Sequence, residues 1–166
     1  MTLPTKTYVQ QIMELLATQW LGVTVPNLLG SDGVTPMTLT HVNAYVSSRE
    51  SATALPFVVI EPYGGPVDPR AGSMLNVKDK FNCYLCLAKQ GSGLDLKDLL
   101  EMSLYWRDPV FVYFSGMLRL GGSLPFLTII YISKWDVKSY HSGDVDYLSL
   151  LFEFTAEENW PVVIGT

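Results

Sequence analysis

The chain is short of charge, cysteine and histidine, and each shortage excludes something. Charged side chains fill only 16% of its 166 positions, against roughly a quarter in an ordinary soluble domain. A lone molecule needs ionic and polar side chains to face water, yet 48% of this one is apolar. Two kinds of exterior satisfy that composition. Either other protein covers part of it, or Ser, Thr, Asn, Gln and Gly make it neutral but wet.

Cys83 and Cys86 are the only cysteines, too few for a disulfide scaffold and in keeping with a reducing cytosol. The 11 basic residues are scattered, with no run of three, and the net charge is −5. Gripping nucleic acid needs clustered Lys and Arg, so that class is excluded. Long apolar runs are missing too. The most apolar stretch, 124–132, is interrupted by Pro125 and Thr128 and falls far short of the ~18 residues a membrane helix requires. Residues 1–7 lack the basic-then-apolar order of a secretory signal. The expectation is a cytosolic product that does not enter membranes.

What is present reads as one domain over 1–166, long enough to bury roughly 70% of its unfolded surface. Tyr8, Ile12, Leu16 and Trp20 recur every four residues and predict an amphipathic helix. Thr7 and Gln10 stand at capping-box spacing before it, and Gly22 is a plausible stop. Residues 23–53 are poorly patterned, apart from a possible short strand at 39–46; a connection of that length is often functional. Residues 55–61 form a continuous apolar run, which suits a central strand covered on both faces. The segment 64–72 is dense in Gly and Pro and reads as an exposed loop, projecting over about 64–76.

Residues 77–89 alternate: Val77, Phe81, Cys83, Leu85 and Leu87 on one face, Lys78, Lys80, Asn82 and Tyr84 on the other. That is a half-buried strand. Ser92 and Asp95 cap a second helix whose stripe is Leu96, Leu99, Leu100, Ser103 and Leu104, ending near Asp108 and Pro109. Residues 126–137 and 145–156 are two further strands, joined through a hairpin over 138–144. An apolar tail over about 157–166 closes the chain. This order predicts an α+β fold, a mainly antiparallel β-sheet with two α-helices packed on one face.

Candidate chemistry is thin. Cys83 and Cys86 have redox spacing, but positions three apart on a strand point to opposite faces, so they cannot readily pair or chelate. Gly91, Ser92 and Gly93 precede a helix as a dinucleotide loop would, yet Leu96 replaces the third glycine and the βαβ unit is missing. His141 has Ser139, Ser142 and Asp144 near it, all within one hairpin, whereas a triad converges from fixed positions around a pocket. Asp95, Asp98 and Glu101 step along one helix face and read as a solvated face suited to a helix N-terminus. Asp136, Asp144 and Asp146 read the same way. No catalytic residue, cofactor site or metal site is expected. The candidate interface residues are Val67 and Arg70 in the loop, and Trp160, Val162, Val163 and Ile164 in the tail, which either folds back onto its own sheet or reaches a neighbour.

The N-terminal helix over 7–20, the strand Leu55-Pro56-Phe57-Val58-Val59-Ile60, an amphipathic strand, the helix over 96–104 and the closing strand Leu148-Ser149-Leu150-Leu151-Phe152-Glu153-Phe154 together resemble tail-terminator and related head–tail joining proteins of tailed bacteriophages. The resemblance lies in layout and texture over most of the chain. It implies a structural virion protein, assembled in the host cytoplasm into a hexameric ring. Such a ring caps the tail tube, stops its polymerisation and joins it to the neck. The implied partners are sister copies, the tube protein, neck or connector proteins and a sheath protein. No sequence-specific nucleic-acid contact is implied, although DNA passes through the ring, and an acidic lumen would let it slide. The segment 23–53 and the apolar tail depart from the family pattern. Another neck or head-completion protein is the nearest alternative. A small α+β ligand-binding or enzymatic domain is the alternative of a different class, and it requires a polar cluster drawn from several elements.

Overall fold

The computed structural model describes residues 6–26, 36–39, 41–43, 55–70, 74–90, 96–115 and 129–161. Helix α1, Tyr8–Trp20, begins at the predicted capping box. Thr7 Oγ1 accepts from the Gln10 backbone N–H at 3.2 Å, and the Gln10 side chain accepts from the Thr7 N–H at 2.8 Å. Its apolar face buries Ile12, Met13, Leu16 and Trp20. Gly22 follows for a reason of space. An added Cβ there would stand 2.3 Å from the Tyr113 hydroxyl, which itself donates to the Gln19 side chain at 3.1 Å.

The segment 23–53 holds three short strands among its described residues: β1 (Thr24–Pro26), β2 (Pro36–Thr38) and β3 (His41–Asn43). Strands β1 and β2 pair antiparallel as a separate ribbon, while β3 runs parallel to β4 (Phe57–Gly64). The main sheet adds β5 (Val67–Arg70), β6 (Met74–Lys89), β7 (Ile129–Ser142) and β8 (Val145–Pro161), in the order β3-β4-β6-β8-β7 with β5 also on β6. All its pairings except β3 with β4 are antiparallel. The α+β expectation therefore holds, including β4's inner position and its burial on both faces. Val58 and Ile60 join the helix-side core, and Phe57 and Val59 join a second cluster on the other side.

Both helices pack on one face. The core there joins α1, the second helix α2 (Leu96–Ser115) and the inward side chains of the sheet. Its centre is aromatic: Trp20, Phe114, Phe152 and Phe154 form pairs with ring centroids 4.8–6.1 Å apart, three of them edge-on and Trp20 with Phe152 tilted, and edge-on geometry is one that aromatic pairs favour. At one end of the opposite face, Phe57, Val59, Cys86, Tyr140 and Tyr147 form the second, smaller cluster.

Three expectations are corrected. Helix α2 does not stop at Pro109 but continues to Ser115 with the proline inside it. An interior proline costs about 3 kcal/mol, but burying Val110 and Phe114 beyond it returns about 1.5–3 kcal/mol each. The buried side of α2 is also turned from the predicted stripe: Ser103, Trp106, Val110 and Phe114 are inside, whereas Leu100 and Leu104 are exposed. The third correction concerns 138–144, where the strands run on to leave Gly143 and Asp144 as the turn. Gly143 supplies it with a φ of +61°, which side chains other than glycine rarely adopt.

Candidate functional site

The projecting loop is a strand-built arm. Strand β5 pairs with β6, Val67 opposite Val77 and Arg70 opposite Met74. It continues the line of β4 along the same side of β6. The break between them is Gly64 to Pro66: Gly64 has a φ of +81°, and the Lys78 N–H donates to the Pro66 carbonyl at 3.0 Å. Breaker residues interrupt the strand without preventing a ladder, because β6 supplies the missing partners. Val67 is 55% exposed; Tyr63 and Met74 are exposed as well, but Met74 is three positions from Val77, the partner of Val67, and so stands on the opposite face. The exposure expected there is present, and among its described residues most of the expected loop is strand.

For the described part of the tail over 157–166, the structure shows the first of the two expected arrangements, folding back onto its own sheet. Strand β8 runs through Pro161, with Trp160 opposite Leu75. Trp160 is half-buried and meets Tyr8 of α1 edge-on, ring centroids 5.5 Å apart and planes at 81°. Backbone pairing and that aromatic contact hold the strand end on its own sheet, so Trp160 is not a projecting anchor. Val162, Val163 and Ile164 lie outside the described residues.

A second exposed surface was not expected. On α2, Leu100, Leu104, Tyr105 and Val112 are 40%, 49%, 58% and 73% exposed, at spacings that place them on one side of the helix. Glu101, Leu104, Tyr105, Arg107 and Asp108 line an open cavity of about 550 Å³ on this side. The Arg107 guanidinium bonds Asp108 at 2.7 Å and lies 4.8 Å from the Trp135 ring centroid. The surface is thus apolar along its length and carries two acids and one cation.

Sequence reasoning also missed a polar cluster drawn from four strands on the sheet's open face. Glu153 on β8 accepts from the Tyr63 hydroxyl of β4, from Lys80 of β6 at 3.2 Å and from Ser133 of β7 at 2.9 Å. Thr155 in turn donates to Ser133 at 2.9 Å. Burial pushes the Glu153 carboxyl upward, but the Tyr63, Ser133 and Lys80 bonds, with the Lys80 charge, bring it below the ordinary carboxylate value. The Tyr63 hydroxyl is pushed up to about 12, by burial first and then by Glu153. Its carboxylate is saturated with donors and its phenol is held protonated, so the cluster ties four strands and activates no nucleophile. Alternation placed Lys80 on the outer face; only the register brings Glu153, Tyr63 and Ser133 to it.

The remaining candidates stay apart. Cys83 is in the helix-side core and Cys86 in the cluster on the opposite face. Burial pushes both thiols up, so neither is a reactive thiolate. His141 faces Asp146 across the hairpin, while the Ser139 hydroxyl accepts from Gln90 at 2.8 Å. Gly91, Ser92 and Gly93 lie outside the described residues. Among the described residues, no three His, Cys, Asp or Glu side chains stand close enough to share a metal ion. No helix of the described residues is long and apolar enough to cross a membrane.

Among the described residues, the fold is that of an α+β protein with a one-sided helical layer, an exposed apolar side on α2 and an exposed Val67 on the arm. In comparison with known proteins, no family model and no curated protein matches the chain.

Proposed function

We propose that this chain is a structural subunit of a tailed-bacteriophage virion, a tail terminator that forms a ring on the end of the tail tube. The observation that carries the reading is the exposed apolar side of α2, Leu100, Leu104, Tyr105 and Val112, together with the separately exposed Val67 on the arm. Two different surfaces on one subunit are what head-to-tail contact needs, and head-to-tail contact gives a ring when its rotation closes. The element order supports the family reading, and the net charge of −5 suits a lumen that lets DNA pass. The action is steric: one side of the ring matches the tube end, and the other blocks further addition and receives the neck. Catalysis, cofactor and metal have no part in it.

The test is negative-stain microscopy of purified tail tubes mixed with the protein. Rings seated at one tube end, and an end to tube growth, are the expected result. Bare tubes that continue to lengthen contradict the terminator role. Rings that bind only neck or head-completion proteins would assign the subunit to the adjoining part of the virion.

A further inference from the structure

We infer that Glu158 is a proton-operated latch for the end of β8: as the neutral acid it can stay buried and lets that corner close with Trp160 against α1, and on losing its proton it must reach water, which opens the corner. Glu158 is fully buried, with a relative exposure of 0%. Its Oε2 accepts the Trp160 indole N–H at 2.7 Å, its Oε1 finds no donor, and the side chain it meets besides Trp160 is Asp79, to which only the neutral acid can donate. Carboxylates are almost never buried unless a cation accompanies them. Among the described residues Glu158 has no Lys or Arg partner. It has another acid instead.

The register shows where that acid comes from. Val77 pairs with Glu158 and Asp79 with Ala156, so Asp79 lies one step along β6 on the helix side of the sheet. From β8, Trp160 faces the carboxyl; from α1, Tyr8 packs on Trp160. The neighbouring charges Lys78 and Glu157 pair with each other in register and stand on the opposite face. Lys6, just before α1, is engaged with Glu14 at 2.9 Å. Burial is the first cause that pushes the Glu158 carboxyl up, to about 8. The Trp160 hydrogen bond opposes the rise, and Asp79 adds to it.

A folded-state value above the unfolded one means that the folded chain holds the proton more tightly. The stability this supplies is complete below the ordinary carboxylate value of 4.5 and is lost as pH rises through about 8. Once ionised, Glu158 needs water, and the route to water is opening of the strand end that carries Trp160. An aromatic side chain suited to a protein interface is thus withheld at acidic and neutral pH and offered at alkaline pH.

The experiment is fluorine NMR of the full chain labelled with 5-fluorotryptophan, which gives one resonance for each of the four tryptophans. Loss of one resonance in Trp160→Phe assigns that residue. The expected result is a Trp160 shift that titrates with a midpoint near 8, disappears in Glu158→Gln and moves to lower pH in Asp79→Asn. A Trp160 resonance that is flat from about pH 5.5 to 9.5 overturns the latch, as does a titration that survives Glu158→Gln. If Glu158→Gln does not fold, an Asp79→Asn midpoint equal to that of the wild type overturns it as well.

Discussion

The Trp106 indole N–H donates to the Pro26 carbonyl at 2.7 Å, tying the middle of α2 to the end of β1. Trp106 is fully buried and Pro26 half-buried, so the bond is partly shielded from water and its loss leaves a carbonyl without its protein donor. Trp106→Phe keeps most of the apolar volume and removes the N–H. It is expected to lower unfolding free energy by about 1–3 kcal/mol in a urea titration, with the transition still cooperative.

Pro109 sits inside α2, where it removes one helical hydrogen bond and crowds the carbonyl four residues back. The helix persists because Val110 and Phe114 are buried beyond it. Pro109→Ala restores the bond without disturbing those contacts. Thermal unfolding should show stabilisation, by about 1–3 kcal/mol. A destabilised variant would mean that the pyrrolidine ring itself packs productively.

These elements show how far the sequence could be read. Helix α1 was legible because its signals are local: Thr7 and Gln10 bracket the first turn, and Ile12, Leu16 and Trp20 mark the buried face. The alternation of Phe81, Cys83 and Leu85 was legible for the same reason, and it correctly separated Cys83 from Cys86. Helix α2 was read too short because Pro109 is a local stop signal, whereas the burial of Val110 and Phe114 that overrides it is tertiary. Leu100 and Leu104 were assigned to the core by spacing alone, and spacing does not say which side of a helix meets the sheet. At the candidate surfaces, the exposure of Val67 was legible from its Gly- and Pro-rich setting. Strand β5 was not, because its ladder depends on its pairing with β6. The link between Lys80 and Glu153 spans 73 positions, a distance at which register cannot be read from either strand.

Gly65 joins β4 to β5 at a point where backbone meets backbone. A Cβ built there would lie 1.6 Å from the Lys78 carbonyl oxygen, and a carbonyl within a ladder cannot swing aside as a side-chain tip would. Gly65→Ala is expected to cost about 1–3 kcal/mol and to speed hydrogen exchange in the arm ahead of the core.

Glu153 is held below its ordinary range, so the sign of its pH effect is opposite to that of Glu158. The unfolded chain takes up the proton first as pH falls. The stability Glu153 supplies is therefore present above the ordinary carboxylate value of 4.5 and disappears as pH drops through the lower folded-state value. Glu153→Gln should flatten this acid limb in unfolding titrations between about pH 2 and 6, and Lys80→Met should flatten it in part. An unchanged limb in Glu153→Gln would assign acid sensitivity elsewhere.

The proposal that this chain acts by docking to its own kind is tested most directly by light-scattering mass after size exclusion, with Tyr105→Lys and Val112→Asp as a paired control. The account predicts a wild-type particle near six times the 18.5 kDa chain mass, and a shift to single chains when the α2 surface is charged. A wild-type protein that stays at one chain mass at every concentration, alone and with tail tubes, would contradict it.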